Sequence, residues 1–148
     1  MVAGGALVAA GLAVRALASG HVQKNEQLTT SGPYAYTRNP LYLGSVVLAT
    51  GFCVAARSWW IAGAALLIFL AIYLPVIRSE EEFLKERFPE YAAYAARVPR
   101  LLPRLSSGHQ TGGEFSWALY RKHGEYNAVI GAVAMMAALA AKLLWISN

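Results

Sequence analysis

The sequence predicts an all-α integral membrane protein: a helical bundle of about four transmembrane helices, including a tight central hairpin, with a further helical segment on the cytoplasmic side. Three observations predict it. Apolar residues make up 57% of the 148, against about 45–50% in soluble domains. Charged residues make up only 14%, roughly half of the usual share. The apolar residues also fall in runs able to cross about 30 Å of hydrocarbon, where lipid offers no partner to an unpaired backbone amide. A soluble globule and a disordered chain are both excluded, because neither could cover this much apolar surface. The net charge of +5 then points to orientation in a bilayer and not to nucleic acid.

The first span is expected over residues 2–18, with Arg15 close enough to its end to snorkel. It lacks the basic flank of a secretory signal and is read as retained. The second and third are expected over residues 41–56 and 59–77; separated only by Arg57 and Ser58, they form a helical hairpin. The fourth covers residues 126–146, with Tyr126 and Trp145 where interfacial aromatics sit. Four spans put both termini on one side. Arg15, Lys24 and Arg38 flank the first connection, and Arg78, Lys85, Arg87, Arg97, Arg100, Arg104, Arg121 and Lys122 occupy the third, while Arg57 and Lys142 fall opposite. Cations are retained on the cytoplasmic side. The polar segments 19–40 and 78–125 therefore share that face, with the termini on the other. Residues 1–105 are expected to form the membrane core, with a cytoplasmic helix over 78–97. Residues 106–148 supply a Ser- and Gly-rich linker up to Gly113, an interfacial segment and a further span.

The segment from Thr29 to Gly44 carries the most specific pattern. Gly32-Pro33 is a turn signal, and Asn39-Pro40 reads as a helix N-cap followed by proline at the first helical position. A helix starting there directs its positive end toward the polar boundary, a site suited to a carboxylate, and Arg38 adds a fixed cation. Read alone, the same residues describe a capped helix with Arg38 on lipid phosphate and Tyr34, Tyr36 and Tyr42 in an interfacial belt. After the third span, Ile77, Leu84 and Phe88 form an apolar stripe with Glu80 and Glu81 beside it. Glu81 and Lys85 have the spacing of an ordinary surface pair, yet carboxylates facing a bundle at the hydrocarbon boundary are costly and mark substrate or ion pathways.

These blocks, Leu28 to Tyr34, Arg38 to Gly44, Glu80-Glu81 with Leu84 and Phe88, and Tyr91 to Tyr94 followed by Arg97-Val98-Pro99, resemble the isoprenylcysteine carboxyl methyltransferase family and the related phospholipid methyltransferases. The resemblance covers about residues 7–104. It implies an integral membrane enzyme that uses S-adenosylmethionine and releases S-adenosylhomocysteine. The family pattern implies Tyr34, Asn39, Pro40, Tyr42, Gly44, Glu80 and Glu81 as cofactor-pocket residues, with Arg38 and Glu80 as the catalytic pair nearest the reacting centre. Asn39 stands where the enzymes that name the family usually carry histidine, and the last span lies outside the core pattern.

Such chemistry suits these residue types. Methyl transfer from a sulfonium is an in-line displacement that requires alignment and exclusion of water. The donor's carboxylate suits an arginine, its amino group suits Glu80 or Glu81, and its sulfonium suits a tyrosine face. A carboxylate acceptor needs only orientation by Arg38, whereas an amine or thiol needs a base, for which Glu80 is the candidate. A lipophilic or lipid acceptor is expected to enter sideways from the bilayer. His21, His109 and His123 are scattered and Cys53 is single, so no metal site is expected. Residues 114–125, including His123, read as an interfacial stretch facing lipid headgroups, without a catalytic role. Two other classes fit the same features: a non-enzymatic membrane subunit with Arg38 and Glu80 as a structural ion pair, and a membrane sterol reductase using NADPH.

Overall fold

A computed structural model describes residues 1–23, 26–106 and 113–147, and among these the chain is helical with no strand. Helix α1 spans Val2–Ser19 and α2 spans Pro40–Ala56; between them lies one turn of 3-10 helix, Gly32–Ala35. Helix α3 runs over Trp59–Arg87, 29 residues, α4 over Tyr91–Arg97, α5 over Trp117–Lys122 and α6 over Tyr126–Ser147. Among the described residues, α1, α3 and α6 are long and apolar enough to cross a membrane, and α2 is a shorter apolar helix. Its 17 residues rise about 25 Å. The linker expected between Ser106 and Gly113 lies mostly outside the described residues, as do Lys24 and His109.

Helices α1 and α2 pack antiparallel, almost backbone to backbone, because glycines recur every seven residues on both. A Cβ added at Gly4 would stand 2.7 Å from the Gly51 carbonyl, and one at Gly11 would stand 2.6 Å from the Leu48 nitrogen and 2.7 Å from the Gly44 carbonyl. Small residues at such spacing allow close approach and dispersion contact where lipid supplies no hydrophobic drive. Ala55 and Ala18 are fully buried at the two ends of this pair.

The hairpin turns at Arg57, whose left-handed backbone (φ 51, ψ 42) caps α2, and Ser58 caps α3 by accepting from the Ile61 amide. The third span and the polar helix expected after it are one continuous helix. It ends at Phe88, whose extended backbone (φ −123, ψ 110) is what a residue before proline prefers. One turn of π-helix, Phe69–Tyr73, interrupts its middle. From Trp59 to Val76 most of the apolar side chains of α3 are exposed, Trp59 and Trp60 by more than nine-tenths, whereas Ile77 is buried. At about 43 Å by helical rise, α3 exceeds the hydrocarbon thickness and carries Glu80 and Glu81 past it.

The polar segments converge at one end of the bundle. The Arg38 amide donates to the Pro99 carbonyl at 2.9 Å and the Arg104 amide to the Tyr36 carbonyl at 3.0 Å. The Thr37 hydroxyl reaches the carbonyls of Arg100 and Leu101 at 3.2 and 3.0 Å. Tyr91, Tyr94 and Val98 form a buried cluster backed by Leu28, Leu84 and Phe88. The Arg97-Val98-Pro99 stretch thus serves as the strap that holds residues 36–38 in place.

Candidate functional site

At this polar end lies a cavity of about 400 Å³ to which both polar segments contribute. Arg38, Asn39, Tyr34, Tyr42, Glu80 and Glu81 all line it. Of the residues singled out from sequence, two do not. Pro40 is buried beneath the floor, and Gly44 faces α1, where a Cβ would meet the Cγ of Arg15 at 2.6 Å. Gly44 makes room for the arginine stem and does not face the cavity.

Glu81 is the hub of one wall. Its carboxylate meets Arg38 Nη1 at 3.4 Å and Arg100 Nη2 at 2.9 Å. Arg100 Nε donates to it at 2.9 Å and Asn39 Nδ2 at 3.1 Å. The surface pair with Lys85 therefore gives way to a buried network, in which two guanidiniums and an amide compensate a desolvated carboxylate. Asn39 occupies the N-cap position, but its side chain makes no capping bond. The amide donates instead to Glu81 and, at 2.9 Å, to the Arg100 carbonyl. The cap side chain is thus used to join α2 to the strap.

Arg38 Nη1 also donates to the Tyr91 hydroxyl at 3.1 Å. Arg38 Nε, by contrast, is buried and has no hydrogen-bond partner among the described residues. A buried guanidinium nitrogen seldom goes unpaired, because its desolvation is uncompensated. Glu80, one residue from Glu81, is exposed, lines the cavity, is hydrogen-bonded by the Tyr42 hydroxyl and has no ion-pair partner among the described residues. Arg38 and Glu80 therefore share a cavity without forming an ion pair with one another.

Aromatic rings supply much of the remaining wall. Tyr73 lies edge-on to Tyr42 with ring centroids 5.5 Å apart and stacks with Phe69 at 5.8 Å; it sits at the end of the π-turn. Tyr94 donates from its hydroxyl to the Tyr34 carbonyl at 2.7 Å. Burial pushes both hydroxyls well above the ordinary phenol range, the neighbouring Tyr94 charge and then Glu80 and Glu125 adding to the rise at Tyr34. Burial, followed by the charge of Glu81, raises Tyr91 too. All three are neutral phenols at physiological pH.

The cavity also holds residues that sequence reasoning placed elsewhere. Arg15 does not snorkel to headgroups. Its Nη2 pairs with Glu125 at 2.7 Å, its Nε donates to the same carboxylate at 3.0 Å, and its Nη1 donates to the Ser45 hydroxyl at 2.6 Å. Glu125 belongs to the stretch expected to face lipid, and so does His123, whose Nδ1 lies 3.1 Å from the Ser19 carbonyl. The available signal was a lone arginine near the end of one apolar run and a lone glutamate just before another. Three carboxylates and two guanidiniums line the cavity, and Arg100, paired with Glu81, brings the guanidiniums to three. The cavity combines an arginine with an unpaired buried nitrogen, a carboxylate without a cation among the described residues and aromatic rings, which suits a cation that also carries an acceptor group.

A family model described as phospholipid methyltransferase matches residues 2–91. The chain belongs to the phospholipid methyltransferase family. The match spans the α1–α2 pair, all of α3 and the start of α4, and so covers Arg38, Asn39, Glu80 and Glu81. The family and the apolar helices together make the chain an integral membrane protein. It is 39% identical over 98 residues to the cobalt-zinc-cadmium resistance protein CzcN of Cupriavidus metallidurans, covering 66% of this chain and 44% of that protein. It is 40% identical over 84 residues to the nickel-cobalt-cadmium resistance protein NccN of Alcaligenes xylosoxydans xylosoxydans, covering 57% of this chain and 39% of that one. The chain thus spans less than half of the length of these relatives. No solved structure matches it.

Proposed function

We propose that the chain is a membrane methyltransferase that takes its methyl group from S-adenosylmethionine and delivers it to a lipophilic acceptor at the cytoplasmic face. One observation carries the reading: Arg38, whose buried Nε has no partner among the described residues, and Glu80, which has no cation among them, line one cavity together with Tyr34, Tyr42 and Tyr73. These residues fit a zwitterionic sulfonium. When bound, it supplies an electrophilic methyl group on a positively charged sulfur.

The chain's residues perform the rest. Arg38, fixed by Glu81 and Tyr91, supplies the guanidinium for a carboxylate. Glu80 accepts from an ammonium group or takes the proton of an amine or thiol acceptor. Tyr42 and Tyr73 offer aromatic faces to a cation and exclude water. The positive-inside distribution of Lys and Arg supports a cytoplasmic polar end, with both termini opposite. The two relatives are named for metal resistance; methylation of a membrane constituent is the contribution this reading assigns to the chain.

The test is methyl transfer by the purified, reconstituted chain from labelled S-adenosylmethionine to a panel of phosphatidylethanolamine, a farnesylated cysteine and decanethiol. Label is expected in one class, and Glu80→Gln is expected to lower turnover by about 10²–10⁴-fold. Full turnover in that variant removes Glu80 from the mechanism. Failure of the wild-type chain to bind S-adenosylhomocysteine in calorimetry overturns the reading and favours a non-enzymatic subunit.

A further inference from the structure

The Arg15–Glu125 pair has no part in the reading above. Glu125 lies beyond the family-matched residues 2–91, yet its side chain is only 11% exposed and it lines the cavity. Both of its oxygens are engaged by Arg15, at 2.7 and 3.0 Å, a bidentate geometry that fixes the plane of the guanidinium. Ser45 holds the third nitrogen at 2.6 Å, and Gly44 has no side chain where the arginine stem passes. Two helices and the turn before α6 thus cooperate to hold one guanidinium against the cavity. For stability alone this is a poor arrangement, since apolar residues of similar volume serve a buried site as well or better. Charged groups kept inside a membrane bundle instead point to a ligand.

Its depth indicates which ligand. Ser45 lies about 7–8 Å further along α2 than Pro40 by helical rise, and Arg15 lies a full turn before the end of α1. The pair is therefore set toward the apolar belt, whereas Arg38, Glu81 and Arg100 occupy the polar rim. We infer that Glu125 is a positioning residue: through Arg15 it forms the wall against which the acceptor is seated, so that the segment after Gly113 completes the working cavity. This rests on the methyltransferase reading for the identity of the ligand, but not for the closure of the cavity.

The test separates the two. In the full chain, Glu125→Ala is expected to raise KM for whichever panel acceptor takes label by about tenfold or more, with the Kd for S-adenosylhomocysteine within about threefold of wild type. A double variant, Arg15→Met with Glu125→Leu, is expected to recover thermal stability but not KM. In a Cys53→Ala background, Leu41→Cys, on the cavity lining, is expected to react with a water-soluble maleimide about fivefold faster once Glu125 is replaced. An unchanged KM, or recovery of KM by the apolar double variant, overturns the inference and leaves a structural tie. If the wild-type chain binds no S-adenosylhomocysteine or labels no acceptor, the methyltransferase reading falls separately. The maleimide rate then decides alone, and an unchanged rate overturns the inference.

Discussion

The α1–α2 pair and the α3 arm are both apolar helices in the same bundle, yet they use their residues in opposite ways. On α1 and α2, glycines at positions 4, 11, 44 and 51 face the partner and bring the backbones together. On α3, most large side chains from Trp59 to Val76 are exposed, and among the described residues nothing lies within 4 Å of where a Gly63 Cβ would stand. Hydropathy does not distinguish these roles, because lipid and protein interior are equally apolar. The distinction lies in what surrounds the small residues: on α1 and α2 they are opposed by backbone, and on α3 by open space. The packed pair is the rigid frame that sets Arg15, Arg38 and Asn39, while α3 is an arm that delivers Glu80 and Glu81 to that frame.

Substitutions can break this comparison. The largest effect is expected from Gly51→Leu, whose Cβ would stand 2.7 Å from the Val8 nitrogen and 2.8 Å from the Gly4 carbonyl. Because backbone cannot yield, the variant should lose at least about 3 kcal/mol and fail to give a monodisperse peak in detergent. Glu81→Ala comes next, since it strips Arg38 and Arg100 of their shared anion. A loss of about 3–5 kcal/mol is expected for breaking the pair with Arg38, in which the side chains are 14% and 10% exposed. The contact with the half-exposed Arg100 adds little. Thermal unfolding followed by circular dichroism measures both.

A smaller loss is expected for Tyr94→Phe, which leaves the buried Tyr34 carbonyl without its 2.7 Å donor at a cost of about 1–3 kcal/mol. This site also predicts a pH dependence. Burial first, then the neighbouring Tyr91, holds the Tyr94 hydroxyl above its ordinary value of 10.0 in the fold, so the folded state retains the proton more tightly than the unfolded chain. The stabilisation is complete below about pH 10 and is lost as pH rises beyond it. Tyr94→Phe should flatten that alkaline decline. The smallest effect is expected at Gly63, where alanine should be neutral or stabilising by up to about 1 kcal/mol. A Gly63→Ala variant as damaging as one at Gly51 would show that α3 is packed against something at that point.

Much of the site was legible before any coordinates. The family resemblance implies Arg38, Asn39, Tyr34, Tyr42, Glu80 and Glu81, and all six line one cavity; the local signals, the Asn39-Pro40 helix start and the α3 stripe, only bring the arginine and the two glutamates to the polar boundary. Gly44 was misplaced because a glycine in an apolar helix reads alike whether it faces a ligand or another backbone. Arg15, Glu125 and Arg100 were missed for a different reason. Their partners lie 110 and 19 residues away in the chain, and no periodicity links positions across a loop.

By itself the sequence determined the membrane class, the four apolar helices, the hairpin at Arg57 and the polar end at which the cavity lies. These follow from the length of apolar runs, helical period and proline stereochemistry, all of which act within a few turns. Tertiary structure alone decided that Arg38 pairs with Glu81 and leaves Glu80 without a cation among the described residues, that Asn39 reaches across to Arg100 beside the strap, and that a glutamate before the last helix closes on Arg15. Each of those outcomes depends on which desolvated charges meet when the helices pack, a long-range competition that local sequence does not encode.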